Sequence, residues 1–408
     1  MNRARPYTPL AMTPAPPSSP ISPGATIGIL GGGQLGRMLG FAARAMGYRV
    51  AVLDPDPECP AAAVADRLVR AGYDSVEGAV ELARGCALVT YELEHVDAAL
   101  VDAVEAVGVR VRPGAHALRM TQDRLAERRF VAGLGIPTAP WREVADEAGL
   151  RAAAAELGTP LRLKTPIGGY DGRSQVRIVD PGDIPGTIER LAGRSRSTRR
   201  PGAPLLVERE LDFEAELSVI TARALDGRLA AFPVALNRHD EGILVESVAP
   251  APVDAAVAAA AQAMGFRIAE ALGVVGLVTA ELFVLRDGTL AVNELAPRVH
   301  NSGHWTIEGA RTSQFEQHVR AICGLPLGDT TARGPAATVN LLGTGEPREA
   351  RLEGVEAALA DPHVHLHVYD KRRVFERRKM GHLTVVGVAD ADEALARARA
   401  ALAKLRWA

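Results

Sequence analysis

Cysteine, aromatic residues and long apolar runs are scarce in this chain of 408 residues. The three cysteines, Cys59, Cys86 and Cys323, lie far apart, which excludes a disulfide framework and suits a reducing compartment. An aromatic content of 4% is too low for the base-stacking surface that single-stranded nucleic acid needs. No apolar run approaches the length of about 18 residues that spans a bilayer. We therefore expect a cytoplasmic protein that binds neither a membrane nor nucleic acid.

Charges of the two signs are balanced, with 47 Lys and Arg against 49 Asp and Glu, so no basic excess points to nucleic acid. Hydrophobic residues make up 47% of the chain, which supports a large core, and the length is sufficient for two or three domains. Residues 1–24 lack the basic start and apolar stretch of a signal peptide, and their Pro, Ser and Ala content predicts a disordered leader. The short basic segment 194–200 is predicted as a solvated loop.

The first part of the folded chain alternates between strand and helix patterns. Apolar runs at residues 27–30, 48–53 and 87–91 predict strands, and residues 37–46 predict a helix, as in an open, mostly parallel sheet. The turn before that helix reads Gly31-Gly32-Gly33-Gln34-Leu35-Gly36, and Asp54 follows the second strand. This spacing matches a dinucleotide-binding turn. A helix N-terminus with bare glycines accepts any phosphate, however, so both interpretations stay open.

A second glycine-rich segment, residues 168–175, lies between strand-like runs at 161–164 and 176–179. A Walker loop leads into a helix, so this segment is instead predicted as a hairpin, of the kind that covers nucleotide phosphates in kinases. Lys164 ends the first apolar run, where an unpaired ammonium group is costly, and an anionic ligand would relieve that cost. The alternative is an ordinary surface hairpin.

Two alternating runs flank Asp287-Gly288, which is a strong hairpin signal. A two-residue turn there brings Glu281 opposite Glu294, with their Cβ atoms about 5 Å apart. Like charges placed so destabilise a sheet, whereas a divalent cation such as Mg²⁺ between them stabilises it. The alternative is a hairpin whose acids point to solvent. The apolar residues predicted on the same face are Phe283, Leu285, Leu290 and Val292.

Two further segments combine chemically useful side chains. The run from Asn293 to Trp305 mixes a carboxylate, an arginine, two histidines and asparagines with Pro, Gly and Trp, which a solvated loop rarely does. Later, His363, His365 and His367 alternate and would share one face of a strand. Three such imidazoles suit zinc, but a polar strand face is the preferred interpretation. The basic stretch that follows, residues 372–379, suits a substrate phosphate.

Six motifs follow one another along the chain. They are Gly31-Gly33-Gln34-Leu35-Gly36-Arg37, Thr90-Tyr91-Glu92-Leu93-Glu94, Thr121-Gln122-Asp123-Arg124, Gly169-Tyr170-Asp171-Gly172-Arg173, the run from Asn293 to Trp305, and Tyr369-Asp370-Lys371. In this order they resemble the N5-carboxyaminoimidazole ribonucleotide synthetase family, ATP-grasp enzymes of de novo purine biosynthesis. The resemblance spans residues 25–390, but residues 194–203 have no counterpart in it.

The resemblance implies an α/β (α+β) protein with the ATP-grasp fold. A Rossmann-like N-terminal domain, residues 25–124, would precede a central ATP-grasp lobe, 125–205, and a C-terminal ATP-grasp lobe, 206–337. Residues 338–408 would form a small β-rich unit. ATP would lie between the two lobes, and the turn at residues 31–36 would serve the imidazole ribonucleotide instead of a dinucleotide.

The implied reaction combines 5-aminoimidazole ribonucleotide, bicarbonate and ATP to give N5-carboxyaminoimidazole ribonucleotide, ADP and phosphate. Bicarbonate would attack the γ-phosphoryl group and form carboxyphosphate, which hydrolyses quickly in water, so a closing glycine loop has a clear purpose. ATP would be the co-substrate and Mg²⁺ the metal ion, with Mn²⁺ as a substitute. The resemblance also implies a homodimer and transfer of the product to the carboxyaminoimidazole ribonucleotide mutase that follows.

The resemblance assigns roles residue by residue. The nucleotide would contact Arg124, Lys164, Gly169, Tyr170, Asp171, Gly172, Arg173, Ser174, Gln175, Glu208, Arg209, Glu210, Leu211, Glu216, His239, Asn293 and Glu294. In that set Glu208 and Leu211 would lie at the adenine and Glu216 at the ribose. Mg²⁺ would bind to Glu281 and Glu294, and bicarbonate to Arg298, His300 and Asn301. The ribonucleotide would be positioned by Tyr170, Asp171, Arg173 and Lys371, with Gly33, Gln34, Leu35, Glu94, Arg378 and Lys379 as further candidates.

Three other functions fit parts of the pattern. Another ATP-grasp carboxylase or ligase, such as biotin carboxylase or the formate-dependent glycinamide ribonucleotide transformylase, would share the metal hairpin without needing Tyr369-Asp370-Lys371. A nicotinamide-dependent oxidoreductase would explain only the glycine turn and Asp54. A non-catalytic nucleotide-binding regulator would not need both metal carboxylates. Two departures from the family are Pro166-Ile167, where two basic residues are usual, and Arg128, where a lysine is usual.

Overall fold

The computed structural model describes residues 19–168, 174–194 and 204–408. Its first unit is built on an all-parallel sheet. The elements of this first unit are β1 (Thr26–Leu30), α1 (Gln34–Ala45), β2 (Arg49–Leu53), β3 (Arg67–Val69), α2 (Val76–Ala83), β4 (Leu88–Tyr91), α3 (Ala98–Ala106), β5 (Arg110–Val111) and α4 (Ala115–Gln122). The strand order is β3-β2-β1-β4-β5. This confirms the predicted open parallel sheet. Helix α1 begins at Gln34, inside the predicted glycine turn and three residues before the predicted start.

The segment just before β1 is held in place, in contrast to the predicted disordered leader. Ile21 packs against the core, its amide donates to the carbonyl of Cys323 (2.9 Å), and its carbonyl accepts the hydroxyl of Tyr48 (2.6 Å). The prediction was wrong around Ile21, because an apolar contact and two hydrogen bonds offset the entropy lost on ordering. Residues 1–18 lie outside the described part of the chain.

The second unit is built on an antiparallel sheet of four strands in the order β6-β9-β7-β8. Its elements are α5 (Arg124–Gly133), β6 (Trp141–Val144), α6 (Glu147–Leu157), β7 (Leu161–Lys164), β8 (Gln175–Ile178), α7 (Thr187–Arg194) and β9 (Leu205–Arg209). Strands β7 and β8 pair as the predicted hairpin, with Lys164 opposite Gln175. The expected boundary between residues 205 and 206 falls inside β9, which pairs with β6 and β7.

The third unit is a larger antiparallel sheet in the order β15-β14-β10-β12-β13-β16-β21-β19, with β11 beside β10. Its elements are β10 (Phe213–Arg223), β11 (Leu229–Ala231), β12 (Ala235–Asp240), β13 (Ile243–Ala249), α8 (Ala255–Leu272), β14 (Gly276–Leu285), β15 (Leu290–Ala296), α9 (Thr306–Gly309), α10 (Gln314–Ile322), β16 (Ala336–Leu342), β17 (Arg348–Glu349), β18 (Leu352–Glu353), α11 (Val355–Ala358), β19 (Val364–Val368), β20 (Arg373–Val374), β21 (Lys379–Val386), α12 (Ala391–Leu402) and β22 (Arg406–Trp407). Strands β16, β19 and β21 of the expected C-terminal unit therefore continue the sheet of the C-terminal lobe.

The two faces of this large sheet differ in chemistry. One face packs its apolar side chains against α8 and α12. The other carries a row of polar side chains that face one another from strand to strand: Glu216, Asn237, Ser247, Thr338 and Thr384. The segment after β15 covers this polar face, since Gly303 lies against Ile220 of β10. The sheet thereby brings the predicted functional segment onto its polar side.

The histidines of β19 lie on the same polar face. His365 pairs with Thr384, and the Nε2 atom of His367 lies 2.7 Å from a carboxylate oxygen of Glu308. The described ranges contain no group of three His, Cys, Asp or Glu side chains arranged to hold a metal ion. This favours the polar strand face over zinc. No helix in the described ranges combines the length and apolarity needed to cross a bilayer.

Candidate active site

The two carboxylates predicted to hold a metal ion face each other across the hairpin of β14 and β15, where Glu281 pairs with Glu294. The turn, however, contains three residues instead of two, because the Leu285 amide donates to Thr289 and the Gly288 amide donates to Leu285. That shifts the register by one residue. A bulge at Asn293 shifts it back before the carboxylates are reached. The predicted pairing of Glu281 with Glu294 is therefore correct, because the longer turn and the bulge compensate each other.

The face predicted around these carboxylates was partly wrong. Leu290 and Val292 pair with Val284 and Leu282 and lie in the apolar core under α8. Only the residues between the turn and the bulge are affected, because a one-residue register shift moves a side chain to the opposite face. Phe283 keeps the predicted side and stacks on the ring of Phe213, with 4.4 Å between the ring centroids.

The electrostatics of this pair suit a cation. Burial and then the charge of Glu294 raise the pKa of Glu281 above its ordinary value. Such a shift means that two negative charges are poorly tolerated here without a compensating ligand. Carboxylate oxygens are the ligands that Mg²⁺ prefers, so the residues present fit that ion. The Nε2 atom of His300 lies 3.4 Å from Glu281, which places the predicted bicarbonate segment at the same spot.

A pocket next to the pair collects most of the predicted nucleotide residues of the large sheet. It is lined by Glu216, Leu217, Asn237, His239, Glu281, Leu282, Phe283 and Asn293. Glu216 forms an ion pair with His239 across it. Sequence reasoning missed Asn237, whose side-chain nitrogen is buried with no hydrogen-bond partner in the described structure. Its spacing of two residues from His239 on one strand was an available signal.

Lys164 is not the unpaired ammonium group that the sequence suggested. Its Nζ atom lies 2.5 Å from a carboxylate oxygen of Glu208, and Arg128 contacts the other oxygen. The Glu208 carboxylate is thus held by two cations, so a contact of Glu208 with adenine has to come from its backbone. The neighbouring Glu210 carboxylate accepts from Arg162 and Arg177, at 2.9 and 2.8 Å. The carboxylates of Glu208 and Glu210 are thus bound by the protein's own cations, and the contacts of these two residues with the nucleotide stay predictions.

The base of the glycine hairpin is braced by Arg124. Its amide donates to the carbonyl of Pro166 (2.8 Å) and its guanidinium to the carbonyl of Thr165 (2.9 Å). Pro166 stands where the family usually has a basic residue, and it is compatible with this contact because only its backbone oxygen takes part. Ser174 is buried beside the same base. The predicted residues Gly169, Tyr170, Asp171, Gly172 and Arg173 lie outside the described residues.

The predicted bicarbonate residues come together above the polar sheet face. Arg298 forms an ion pair with Glu94, which joins this segment to the N-terminal domain. The side-chain amide of Asn301 is buried, and neither its nitrogen nor its oxygen has a partner in the part of the chain described. Buried polar atoms nearly always have a partner. This amide therefore lies where a small ligand with both donor and acceptor groups can bind.

His300 is fixed from two sides. The Gln314 side chain accepts the His300 amide (2.9 Å) and donates to its carbonyl (2.6 Å), and Ser302 contacts its Nδ1 atom at 2.8 Å. Burial and then the charge of Arg298 lower the pKa of His300 well below its ordinary value, so the imidazole is neutral. No spacing in the sequence pointed to Gln314, because it meets His300 through the tertiary fold.

The glycine turn predicted to accept a phosphate is filled by the protein's own carboxylates. Glu92 accepts the amides of Gly33 (3.0 Å) and Gly36 (3.1 Å), and Asp54 accepts the amide of Gly32 (2.8 Å). These amides are the donors that would cradle a pyrophosphate. The dinucleotide interpretation is therefore wrong. Strands β1 and β4 are parallel neighbours whose carboxyl ends meet at one edge, which brings Glu92 to the turn.

We expect the substitution Glu92→Met to lower the free energy of unfolding by about 2–4 kcal/mol, because each buried amide left without an acceptor costs about 1–3 kcal/mol. Urea denaturation would measure it. Glu58→Met is the matched control, since that glutamate is exposed. An unchanged unfolding free energy for Glu92→Met would mean that water replaces the carboxylate.

The predicted ribonucleotide residues come from both ends of the chain. Two motif residues without a predicted site role join these ends, since Arg37 of α1 lies 3.5 Å from Asp370. Next to Asp370, the Nζ atom of the predicted residue Lys371 donates to the carbonyl of Lys379 at 2.6 Å. The charge of Lys379 partly opposes the rise in the pKa of Glu281 and contributes to the lowered pKa of His300, so Lys379 also lies near the Glu281 and Glu294 pair.

Packing contacts fix two of the weaker ribonucleotide candidates, Leu35 and Arg378. Leu35 is buried there, so only its backbone can contact a ligand, whereas its neighbour Gln34 stays partly exposed. Arg378 stacks on the ring of Phe375, with 5.1 Å from its guanidinium carbon to the ring centroid.

Three family models match successive parts of the chain. Residues 24–122 match the ribonucleotide synthetase preATP-grasp domain, 129–315 the ATP-grasp domain, and 336–397 the phosphoribosylaminoimidazole carboxylase C-terminal domain. The first match covers the parallel sheet, the second the small sheet and most of the large sheet, and the third the last strands of the large sheet, while the hairpin of β14 and β15 lies inside the second match.

Relatives match over nearly the whole length. The N5-carboxyaminoimidazole ribonucleotide synthase of Brucella melitensis is 42% identical over 89% of this chain and 97% of its own. That of Bacillus subtilis is 39% identical over 89% and 92%. A crystal structure of N5-carboxyaminoimidazole synthase from Aspergillus clavatus with ADP and 5-aminoimidazole ribonucleotide is 32% identical, with a TM-score of 0.83 over 93% of this chain and 98% of that one.

Proposed function

The chain belongs to the N5-carboxyaminoimidazole ribonucleotide synthase family, and from this we propose that it carboxylates 5-aminoimidazole ribonucleotide with bicarbonate at the expense of ATP. The products are N5-carboxyaminoimidazole ribonucleotide, ADP and phosphate. One observation carries the proposal: His300 stands against the metal carboxylate Glu281, while its neighbour Arg298 is paired with Glu94 of the N-terminal domain. The phosphoryl-transfer site and the ribonucleotide site thus meet at one short segment.

The nucleotide site is formed between the two ATP-grasp lobes. Lys164 of β7 and Arg124 of α5 meet the phosphates, while Glu216 of the large sheet binds the ribose with His239 nearby. Glu281 and Glu294 would hold Mg²⁺, which neutralises charge on the transferring phosphoryl group when it is bound. The pair's placement at the pocket that contains Glu216 and His239 supports this assignment.

The chemistry of bicarbonate matches the groups that surround it. Bicarbonate offers one hydroxyl donor and several acceptor oxygens, and the amide of Asn301 offers a donor and an acceptor. The Arg298 guanidinium is suited to an oxyanion. The neutral His300 can donate from Nε2 to an oxygen of carboxyphosphate without adding charge. Carboxyphosphate then yields CO₂ and phosphate, the ribonucleotide amine attacks CO₂, and the released phosphate takes the amine proton.

The family resemblance supports four further proposals. The domain division is the one expected from the sequence, with the central lobe extended to the end of β9. The protein acts in the cytoplasm, it forms a homodimer, and its product passes to the carboxyaminoimidazole ribonucleotide mutase. Sedimentation analysis tests the dimer.

The decisive experiment measures ADP release from Mg·ATP and bicarbonate with and without 5-aminoimidazole ribonucleotide. We expect strong stimulation by the ribonucleotide. Stimulation by biotin or by glycinamide ribonucleotide with formate, and none by 5-aminoimidazole ribonucleotide, would assign the chain to another ATP-grasp reaction. Bound ATP without any turnover would identify a non-catalytic nucleotide-binding protein.

For Lys371→Ala we expect the KM for the ribonucleotide to rise by about 10–100-fold, the effect of losing one hydrogen bond to a charged group. ADP binding should remain near normal, because Lys371 is not among the residues that line the nucleotide pocket. Steady-state kinetics and calorimetry would measure the two effects. Lys404→Ala is the control, since its Nζ atom also donates to a backbone carbonyl, that of Ala357 at 3.0 Å, but at the surface. Unchanged kinetics for Lys371→Ala would refute its role.

A further inference from the structure

Arg128 is a buried charge whose guanidinium contacts three separate elements. Its side chain is 2% exposed. Nε contacts the Glu208 carboxylate of β9, Nη1 donates to the Glu127 carboxylate at 2.7 Å, and Nη2 donates to the Asn293 carbonyl of β15 at 2.7 Å. One side chain on α5 thus connects the small sheet to the metal hairpin of the large sheet.

The contacts with β15 surround a metal carboxylate. The Asn293 carbonyl belongs to the peptide group before Glu294, and Arg128 holds it. The Leu295 amide belongs to the peptide group after Glu294, and the second oxygen of Glu127 accepts it at 2.8 Å. Both peptide groups that flank Glu294 are therefore bound by neighbouring residues of α5. Asn293 is also the bulge residue that brings Glu294 opposite Glu281.

The contact with β9 affects the phosphate side. Glu208 is shared between Arg128 and Lys164, and these two cations hold its pKa at about 2 despite its burial. When Lys164 turns to a phosphate, Glu208 keeps Arg128 as its partner. A buried carboxylate without a cation would oppose that exchange.

We propose that Arg128 is a positioning residue for phosphoryl transfer, which fixes Glu294 relative to Lys164 across the two lobes. The proposal rests on the nucleotide site proposed above. Three nitrogens in a rigid fork reach three acceptors at once, whereas the single nitrogen of a lysine, usual at this place in the family, has to be shared among them. Arg128 touches neither nucleotide nor metal in this role. It acts through the residues that do.

The test compares Arg128→Lys and Arg128→Met with the same two changes at Arg129. Arg129 is the next residue of α5 and an exposed one, 59% accessible, that pairs with Glu143. Calorimetry would measure ADP binding with and without Mg²⁺, and kinetics would measure the Mg²⁺ concentration for half-maximal ADP release. The binding readout needs no ribonucleotide, so it stands even if the proposed reaction fails.

For Arg128→Lys we expect the Mg²⁺ requirement to rise and kcat to fall, each by about 10-fold or more, the effect of losing a residue that orients a metal ligand. Metal-free ADP binding should change far less, and the Arg129 variants should match the unchanged protein. If Arg128→Met is too unstable to purify, Glu127→Gln, which weakens the Leu295 contact, gives the second measurement. A normal Mg²⁺ dependence in a folded Arg128→Lys variant would overturn the proposal.

Discussion

Substitution of Glu294 by glutamine is expected to lower kcat for ADP release by about two to three orders of magnitude, the effect of removing one preorganised electrostatic group. Glutamine keeps the size of the side chain but removes the charge that a divalent cation needs. The metal-free protein should be as stable as before or more stable, because Glu281 loses a like-charged neighbour across the hairpin. Kinetics, and urea denaturation in the presence of a chelator, would measure the two effects.

The opposite signs of these effects identify a functional pair. Changing a residue that is needed for folding lowers the stability of the protein, whereas changing one member of a repulsive pair does not. Glu214→Gln is the control, because Glu214 is exposed on β10. Near-normal ADP release by Glu294→Gln would contradict the metal assignment, and a strong loss of stability would indicate that Glu294 has a structural partner instead.

The hairpin of β14 and β15 shows how far the sequence could predict the site. Asp287-Gly288 correctly located the turn, and the alternation of residues correctly located the strands. The three-residue loop and the bulge at Asn293 were not predictable, because turn type and bulges depend on hydrogen bonds that composition only biases. The pairing of Glu281 with Glu294 was correct because the two shifts cancel. The face of the sheet assigned to Leu290 was wrong because Leu290 lies between the turn and the bulge.

Buried charges were the least predictable part of the site. The sequence placed Lys164 in an apolar strand correctly, but its partner Glu208 is 44 positions away and on another strand. The carboxylates that fill the glycine turn, Asp54 and Glu92, likewise reach it through the parallel sheet. The local pattern of apolar and polar residues identifies a strand and its ends. The partner of a charge depends on strand order, which one sequence does not specify.

The fold itself was easier to predict than the site, since alternating strand and helix patterns predict a parallel sheet without any tertiary information. The continuity of the last strands with the C-terminal lobe was not predictable in the same way. β16 lies beside β13 in the sheet, although α8, the hairpin of β14 and β15, α9 and α10 separate them along the chain. Such crossovers are decided by packing between distant segments, here by the polar face that the segment after β15 has to cover.

Substitution of Arg298 by methionine is expected to have the second large effect. Loss of the guanidinium should lower kcat by about two to three orders of magnitude, as for other groups that stabilise a developing oxyanion. It should also lower the free energy of unfolding at neutral pH by about 3 kcal/mol, the lower end for breaking a buried ion pair, because the Glu94 side chain is 24% exposed. Kinetics and urea denaturation at several pH values would measure both.

The pH dependence of that loss has a definite sign. Burial alone would raise the pKa of Glu94, but the charge and hydrogen bond of Arg298 hold it at about 2. A depressed folded pKa contributes stability above the unfolded value of about 4.3 that disappears as the pH falls towards 2. The difference between the unchanged protein and Arg298→Met should therefore be large at pH 7 and shrink in acid. A difference that does not vary with pH would show that packing, not charge, is lost.

A second substitution separates the two roles of Arg298. Adding Glu94→Gln to Arg298→Met removes the unpaired carboxylate, so most of the lost stability should return while kcat stays low. Recovery of activity together with stability would mean that Arg298 serves only to compensate Glu94, and the bicarbonate assignment would fail. Because Glu94 is itself a candidate for the ribonucleotide site, Glu94→Gln alone is the control, and a kcat far lower in the restabilised double variant than in Glu94→Gln requires the guanidinium in the reaction itself. This follows because Glu94 is the carboxylate that Arg298 contacts in the folded protein.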